Sequence, residues 1–143
     1  MQIRVLLVDD EEEFVEALAE RLETRDFAVF KAYSADQALT LIAQQEVDVV
    51  VLDVLMPGKD GIVALREIKE RQPILEVIML TGNATVESAV NGLKLGAFDY
   101  LMKPTETKEL VEKIINAYKR KADQEARIRN AEIERIIISR GWS

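Results

Sequence analysis

The chain of 143 residues contains no cysteine and no histidine. The absence of cysteine excludes disulfides, thiol nucleophiles and cysteine-bound zinc or iron–sulfur centres. The absence of histidine removes the commonest general base and metal ligand, and with it the Ser-His-Asp triad. Any metal must therefore be held by oxygen atoms, a ligand set that favours Mg²⁺, Ca²⁺ or Mn²⁺.

Aromatic residues and long apolar runs are also scarce. Aromatic residues make up 6% of the chain, so the core must be mainly aliphatic. No apolar run approaches the roughly 18–20 residues of a membrane span. The first apolar run turns acidic at Asp9, too early for a secretory signal. We therefore expect a cytoplasmic protein with no membrane partner.

Charge is distributed unevenly along the chain, whose net value is −7. Residues 119–143 hold seven basic and four acidic side chains, so the rest of the chain is strongly acidic. An acidic body repels nucleic acid. The composition thus argues against direct nucleic-acid binding by this chain, and marks its last 25 residues as a distinct piece.

Apolar runs of strand length alternate with stretches of helical periodicity. The runs lie at 3–8, 28–32, 47–52, 74–80 and 98–102, and the helical stretches at 11–25, 35–45, 61–71, 84–95 and 106–118. The first, third and fourth runs are nearly continuous in valine, isoleucine and leucine, as in strands buried on both faces of a parallel sheet. Five βα units predict an α/β, doubly wound parallel sheet with helices on both faces.

Two local features refine the helices. In the first helical stretch, spacings of three and four place Phe14, Ala17, Leu18 and Leu22 on one face, together with Arg21. Gly96 follows the fourth stretch and is a candidate C-terminal cap.

The last helix has no proline or glycine to end it between Thr105 and about Ile138. We divide the chain into a body, 1–120, and a C-terminal helical extension, 121–143. The extension matches a dimerisation helix, a linker or a tail. Two seams compete along the extended last helix. One runs through Ile114, Ala117, Lys121, Ile128, Ala131 and Ile138, with Lys121 and Arg135 as charged interruptions, and the other runs through Ala122, Ala126, Ile133, Ile136 and Ile137. The run of isoleucines at 136–138 and Trp142 favour a partner over full solvation.

Polar side chains follow the predicted strands. Asp9 and Asp10 follow the first, Asp53 the third, Thr81 the fourth and Lys103 the fifth. If the strand order is 2-1-3-4-5, these residues converge at the carboxyl edge of the sheet, where open α/β sheets bind ligands. Clustered carboxylates repel one another unless a cation intervenes, and Mg²⁺ suits such a cluster. A lysine and a hydroxyl complete a phosphoryl site, and an aspartate can itself accept phosphorus.

Each of these residues also has an ordinary structural role when taken alone. Acids such as Asp9 and Asp10 suit the first turn of a helix, Thr81 suits a cap and Lys103 a surface position. Asp53 is different because apolar residues flank it on both sides, where a solvated carboxylate is rare. The joint placement after four strands favours a site over the separate structural roles.

The sequence resembles the receiver (phosphoacceptor) domain of bacterial two-component response regulators over about residues 2–118. The resemblance rests on VLLVDDEEE at 5–13, VVVLDVLMPGKDG at 49–61, VIMLTGNA at 77–84 and GAFDYLMKP at 96–104. It implies a flavodoxin-like five-stranded parallel sheet in the order 2-1-3-4-5, with five helices of which the last is extended.

The resemblance implies a set of metal ligands around the acceptor. Asp53 would be the phosphoacceptor nucleophile. Asp10 and Asp53 would bind Mg²⁺ (Mn²⁺ is possible) directly, Asp9 would reach it mainly through water, and the backbone carbonyl of Leu55 would supply another oxygen.

The resemblance also implies a phosphoryl pocket and a switch. Lys103, with a cis bond to Pro104, would neutralise the phosphoryl group. Thr81 would donate to a phosphoryl oxygen, and Tyr100 occupies the aromatic switch position, expected to turn inward as Thr81 is drawn to the phosphate.

Two further positions would tune the lifetime of the phosphorylated state. In this family, Leu55 and Asn83 would flank the path of the hydrolytic water. Because the side chain of Leu55 cannot orient water, we expect slow self-dephosphorylation.

The expected function is a switch that catalyses its own aspartyl phosphorylation and dephosphorylation rather than a conventional enzyme. Its donor would be the phosphohistidine of a histidine kinase or phosphotransfer protein, and phosphorylation would alter the surface of residues 84–118 and favour a homodimer. A haloacid-dehalogenase-type phosphatase is disfavoured because it needs a second acid where Leu55 stands. A degenerate receiver that binds partners without phosphorylation is disfavoured because the acceptor set is complete. The sequence is also compatible with an N-terminal fragment of a longer transcriptional regulator.

Overall fold

The computed structural model describes residues 2–54, 61–82 and 86–141. Strands and helices alternate along the chain. They are β1 Arg4–Val8, α1 Glu12–Glu23, β2 Ala28–Ala32, α2 Ala35–Gln44, β3 Val49–Leu52, α3 Gly61–Arg71, β4 Glu76–Thr81, α4 Val86–Lys94, β5 Asp99–Met102 and α5 Thr107–Ser139.

The strands form one parallel sheet in the order β2-β1-β3-β4-β5, which confirms the predicted fold class. The central strands β3 and β4 are buried along their whole length, and β1 is buried except at Arg4. Their continuous apolar sequences therefore reflect helices packed on both faces. The register pairs Val8 with Leu52 and Leu52 with Met79, so the carboxyl ends of the central strands lie side by side.

Helices cover the sheet from both sides. Helices α1 and α5 pack on one face through residues such as Leu22 and Ile114. Helices α2 and α3 pack on the other face through residues such as Ile42 and Leu65. Helix α4 lies on this second face, where Gly92 sits against the side chains of Met79 and Leu65.

The buried face of α1 differs from the sequence-based prediction. Leu18 and Leu22 are buried as expected, but Ala17 and Arg21 are exposed and Phe14 is only half-buried. The buried stripe is instead Val15, Leu18, Ala19 and Leu22. Both stripes have helical spacing and share Leu18 and Leu22, so the choice depends on how the helix is rotated against the sheet, which local periodicity does not fix.

Gly96 ends α4 as predicted. Its backbone has φ +105°, and the amide of Ala97 donates to the carbonyl of Gly92 at 3.0 Å. Glycine adopts this left-handed conformation without the strain that a Cβ would add.

Helix α5 is the longest element, with 33 residues. It packs on the sheet through Leu110, Ile114 and Ala117 and then runs without a break across the predicted boundary at 120/121. From Arg127 onward its side chains are exposed apart from a half-buried Ile137. Ile128, Ile133, Ile136 and Ile138 are between 47% and 74% exposed, so both predicted seams present apolar side chains to solvent. Trp142 lies outside the described residues.

Within the described parts of the chain, no helix combines the length and apolarity needed to cross a bilayer.

Candidate functional site

The carboxyl edge of the sheet brings the predicted site residues together. Backbone hydrogen bonds extend the ladder past the strand ends: the Asp53 amide donates to Val8, and the Lys103 amide donates to Thr81, both at 2.9 Å. Asp9, Asp53 and Thr81 are 4%, 5% and 1% exposed. The sheet itself therefore fixes the backbone of each residue at this edge.

Three carboxylates meet at this edge. Oxygen atoms of Asp9, Asp10 and Asp53 all lie within 4.8 Å of one another, with Asp10 exposed and the other two buried. The amide of Glu11 donates to Oδ1 of Asp9 at 3.0 Å and orients that carboxylate. An all-oxygen group of this size, open to solvent on one side, has the donor chemistry that Mg²⁺ accepts while keeping some of its waters. The residues present thus fit a hard divalent cation.

Electrostatics support this interpretation. Burial raises the pKa of Asp9 above its ordinary value, and the charge of Asp53 adds to the effect, although hydrogen bonds from Lys103 and the Glu11 amide oppose it. The cluster therefore holds negative charge that its surroundings compensate incompletely. A divalent cation would relieve this repulsion.

Lys103 provides a cation beside the carboxylates. Its Nζ lies 2.6 Å from Oδ2 of Asp9 and 3.1 Å from Oε1 of Glu11, and 4.1 Å from the centre of the Phe14 ring. Burial alone would lower its pKa, but the hydrogen bond to Asp9 and the charges of Asp9 and Asp53 raise it. Lys103 is therefore a fixed positive charge at the site, and its peptide bond to Pro104 is cis.

Sequence reasoning missed the roles of Glu11 and Phe14 around Lys103. Glu11 belongs to an acidic run that also suits the start of a helix. Helical spacing predicts Phe14 on the buried face of α1, whereas its side chain is half-buried and its ring lies against Nζ of Lys103. The signal in the sequence is that an aromatic residue directly follows the acidic run at 11–13, which places negative charge and a ring face within reach of one cation.

The predicted switch residues lie on neighbouring strands. Thr81 ends β4 in a buried position and pairs in register with Met102 of β5. Tyr100, two residues before Met102, is half-buried and packs against the core on the α2 and α3 face. Leu55 and Asn83 lie outside the described residues.

Gly61, the first residue of α3, constrains the segment that carries Asp53. Its amide donates to the carbonyl of Val54 at 2.9 Å, and a Cβ at this position would overlap backbone atoms of Asp53 and Val54. Because backbone cannot yield as a side chain tip can, we expect Gly61→Ala to lower the free energy of unfolding by about 1–3 kcal/mol. Urea denaturation measures this difference.

Gly82→Ala is the matched control for that prediction. A Cβ at Gly82 would meet Lys103 Cβ at an ordinary 3.7 Å, so stability should change by less than about 0.5 kcal/mol. Equal stability of the two variants would contradict the proposed overlap at Gly61.

Comparison with known proteins identifies relatives of the whole body. The family model described as the response regulator receiver domain matches residues 5–115. A putative NtrX-like response regulator of Rickettsia conorii is 40% identical over 112 residues, which are 77% of this chain and 24% of that protein. The regulatory protein VanR of Enterococcus faecium is 35% identical over 114 residues, 80% of this chain and 49% of that protein.

Solved structures agree with this result. A response regulator receiver domain from Clostridium thermocellum is 35% identical, with a TM-score of 0.80 over 84% of this chain and 97% of that one. This chain therefore spans nearly the whole of that receiver structure, but only about a quarter of the length of the NtrX-like relative.

Proposed function

The chain belongs to the receiver-domain family of response regulators, and from this membership we propose that it is a phosphorylation-activated switch in which Asp53 accepts a phosphoryl group from a phosphohistidine. The donor would be a histidine kinase or a phosphotransfer protein. The observation that carries the proposal is the meeting of the Asp9, Asp10 and Asp53 carboxylates within 4.8 Å, beside the ammonium group of Lys103.

The proposed reaction is a single displacement at phosphorus. A carboxylate oxygen of Asp53 forms a bond to phosphorus while the P–N bond to the donor imidazole breaks. The electron pair stays on that imidazole nitrogen, which takes up a proton, and Asp53 becomes an acyl phosphate. The donor must supply the imidazole because this chain contains no histidine. Such a transfer depends mainly on positioning and charge neutralisation.

The chain's own residues would supply that positioning. Asp10 and Asp53 would hold Mg²⁺ directly, with Asp9 mainly through water and the Leu55 carbonyl as a further ligand. When bound, the cation would neutralise charge on the phosphoryl oxygens. Lys103, now paired with Asp9 and Glu11, would add a second positive charge, and Thr81 would donate a hydrogen bond.

Phosphorylation would be transmitted through β4 and β5. Movement of Thr81 toward the phosphoryl group would favour an inward Tyr100 and would change the surface of residues 84–118. A ligand can shift such a two-state arrangement only through contacts that differ between the states, and the hydroxyl of Thr81 supplies one. The resulting surface would favour a homodimer. Light scattering with and without beryllofluoride, on the full chain and on a chain ending at residue 120, tests this step.

A direct test of the proposed function is incubation with Mg²⁺ and acetyl phosphate, followed by intact mass measurement and peptide mapping. We expect one phosphoryl group per chain, on Asp53, and none when the metal is chelated. An adduct on another residue, or equal labelling without a divalent ion, would contradict the proposal.

The residue at position 55 should set the lifetime of the phosphorylated state. We expect Leu55→Asn or Leu55→Glu to speed loss of the phosphoryl group several-fold, because a polar side chain can orient the attacking water and leucine cannot. The decay of radiolabelled protein after removal of the donor measures this rate. Leu55→Met is the matched apolar control, and a variant series with one common rate would contradict the idea.

A second proposal is that this receiver is one part of a longer protein. This chain spans 24% of its NtrX-like relative, which supports the proposal that the receiver acts within a longer transcriptional regulator. In that setting, residues 1–120 would form the receiver and residues 121–143 would pair or link it to an output domain.

A further inference from the structure

A second charged cluster lies at the amino edge of the sheet, opposite the carboxylate site. We call it the basal cluster and define it as Asp48, Glu76, Arg120 and Lys121. Asp48 directly precedes β3 and Glu76 begins β4, and the two side chains are only 2% and 1% exposed. Arg120 and Lys121 belong to α5, beyond its last buried apolar residue, Ala117. The proposed phosphoryl chemistry uses none of these four residues.

Asp48 is bound from two directions. Arg4 donates to it from its backbone amide at 2.8 Å and from its guanidinium at 3.0 and 3.1 Å. Lys121 reaches it from α5, with Nζ 3.3 Å from Oδ1, and also contacts Glu125 at 3.1 Å. Burial alone would raise the pKa of Asp48, but the hydrogen bonds from Arg4 hold it below its ordinary value. Asp48 therefore stays ionised and attracts the lysine of α5.

Glu76 is bound in the same manner by the neighbouring residue of α5. Arg120 forms two hydrogen bonds to the carboxylate through Nε and a terminal nitrogen, the second at 2.9 Å. Its guanidinium also lies 4.6 Å from the centre of the Phe98 ring, just before β5. Lys69 of α3 lies farther away, 3.6 Å from Oε1. The two hydrogen bonds to Glu76 and the contact with the Phe98 ring therefore fix both the position and the orientation of the guanidinium group.

The basal cluster lies just beyond the last fully buried apolar residue of α5, Ala117, and beyond the half-buried Tyr118, which still packs against the core. After Ala117 no side chain of the described part of α5 is fully buried, but several between Lys121 and Ala126 are half-buried. From Arg127 the exposed pattern begins. Over this stretch, ion pairs to buried carboxylates therefore supplement an apolar packing that is weaker than in the earlier part of the helix. Such pairs are costly to break because they leave a buried charge uncompensated.

We propose that the basal cluster is a joint that locks α5 to the sheet beyond Ala117, so that residues 118–126 move with the body and the independently moving segment begins at Arg127. The part of α5 that moves with the body would then end at residue 126, six residues after the predicted boundary at 120/121. It also ties α5 to β3 and β4. At the opposite ends of these strands, Asp53 follows β3 and Thr81 is the last residue of β4.

Amide hydrogen exchange of the full chain, without any phosphodonor, tests the joint. In the wild type, amides of residues 118–126 should exchange at least ten-fold more slowly than those of 128–138. Arg120→Met combined with Lys121→Met keeps the aliphatic stems and removes both charges. We expect exchange over residues 118–126 to rise at least ten-fold in this variant, while amides of β1 and β3 change far less.

Two further variants make the result decisive. Glu76→Gln combined with Arg120→Gln removes both charges of one ion pair, while Lys69 keeps its hydrogen bonds to the carbonyls of Pro73 and Leu75, and the variant should also speed exchange over residues 118–126. Lys113→Met removes a charge from α5 whose partner, Asp99, is one-third exposed, and it should leave exchange over residues 118–126 within two-fold of wild type. The proposal is overturned if residues 118–126 already exchange as fast as 128–138 in the wild type, or if neither basal variant changes them.

Discussion

Asp53→Asn will take up no stable phosphoryl group from acetyl phosphate, with labelling lowered by about three orders of magnitude or more. Asparagine keeps the size and the polarity of the side chain, but its amide oxygen does not form a stable bond to phosphorus. Because Asp53 is buried beside Asp9, loss of its charge also removes repulsion, so the folded state should be no less stable than the wild type. Intact mass after incubation with Mg²⁺ and acetyl phosphate measures the uptake of the phosphoryl group. Urea denaturation measures the free energy of unfolding.

The control for this prediction is Asp36→Asn, an equivalent change at the exposed start of α2, away from the carboxylate cluster. It should label like the wild type. Labelling of the Asp53 variant to the same extent would mean that another residue is the acceptor, and the proposed function would fail.

Lys103→Met will separate metal binding from phosphoryl transfer. The change removes the charge that lies 2.6 Å from Asp9 and 4.1 Å from the centre of the Phe14 ring, while keeping an unbranched apolar side chain. Transfer should slow by about 10²–10³-fold, the cost of losing one preorganised group that stabilises developing charge. Affinity for Mg²⁺ should be maintained or rise, because Lys103 no longer competes for the Asp9 carboxylate. Labelling kinetics at saturating Mg²⁺ measure the first effect, and calorimetric titration the second.

Lys113→Met is the control for Lys103, since it removes the same charge from a half-exposed position whose partner is Asp99. It should change neither the rate of phosphoryl transfer nor the affinity for Mg²⁺ by more than about two-fold. If transfer by the Lys103 variant stays near the wild-type rate, the lysine serves only to neutralise Asp9 and has no part in the reaction.

Much of the fold can be predicted from the periodicity of apolar residues, because the patterns of a strand or a helix are contained in a short stretch of sequence. The continuous apolar runs identified the buried strands, and their order along the chain led to the sheet. The polar residues that end those strands then marked the carboxyl edge, where the structure places Asp9, Asp10, Asp53, Thr81 and Lys103. The strand order itself was a prediction, and the resemblance to receivers implied the same order.

What the sequence did not reveal depended on distant partners. Glu76 lies inside an apolar run, and nothing near it in the chain indicates that Arg120 will neutralise it from 44 residues away. Asp48 similarly depends on Arg4 and Lys121, which lie 44 residues before it and 73 residues after it in the chain. The rotation of α1 was also missed, because Val15 and Phe14 differ by one position and both continue an acceptable stripe through Leu18 and Leu22. Long-range ion pairs and helix rotation are set by tertiary packing, which no local window contains.

The length of α5 past the joint has a geometric consequence. Residues 127–139 rise about 20 Å at ~1.5 Å per residue, so they act as a lever arm pivoting near Ala126. A tilt of about 10° at the pivot displaces the tip sideways by about 3.5 Å, more than a third of the roughly 8–10 Å that separates the axes of packed helices. Two such arms side by side would gain or lose packing contact over that displacement, so a small angular change in the body becomes a change of spacing at the tip.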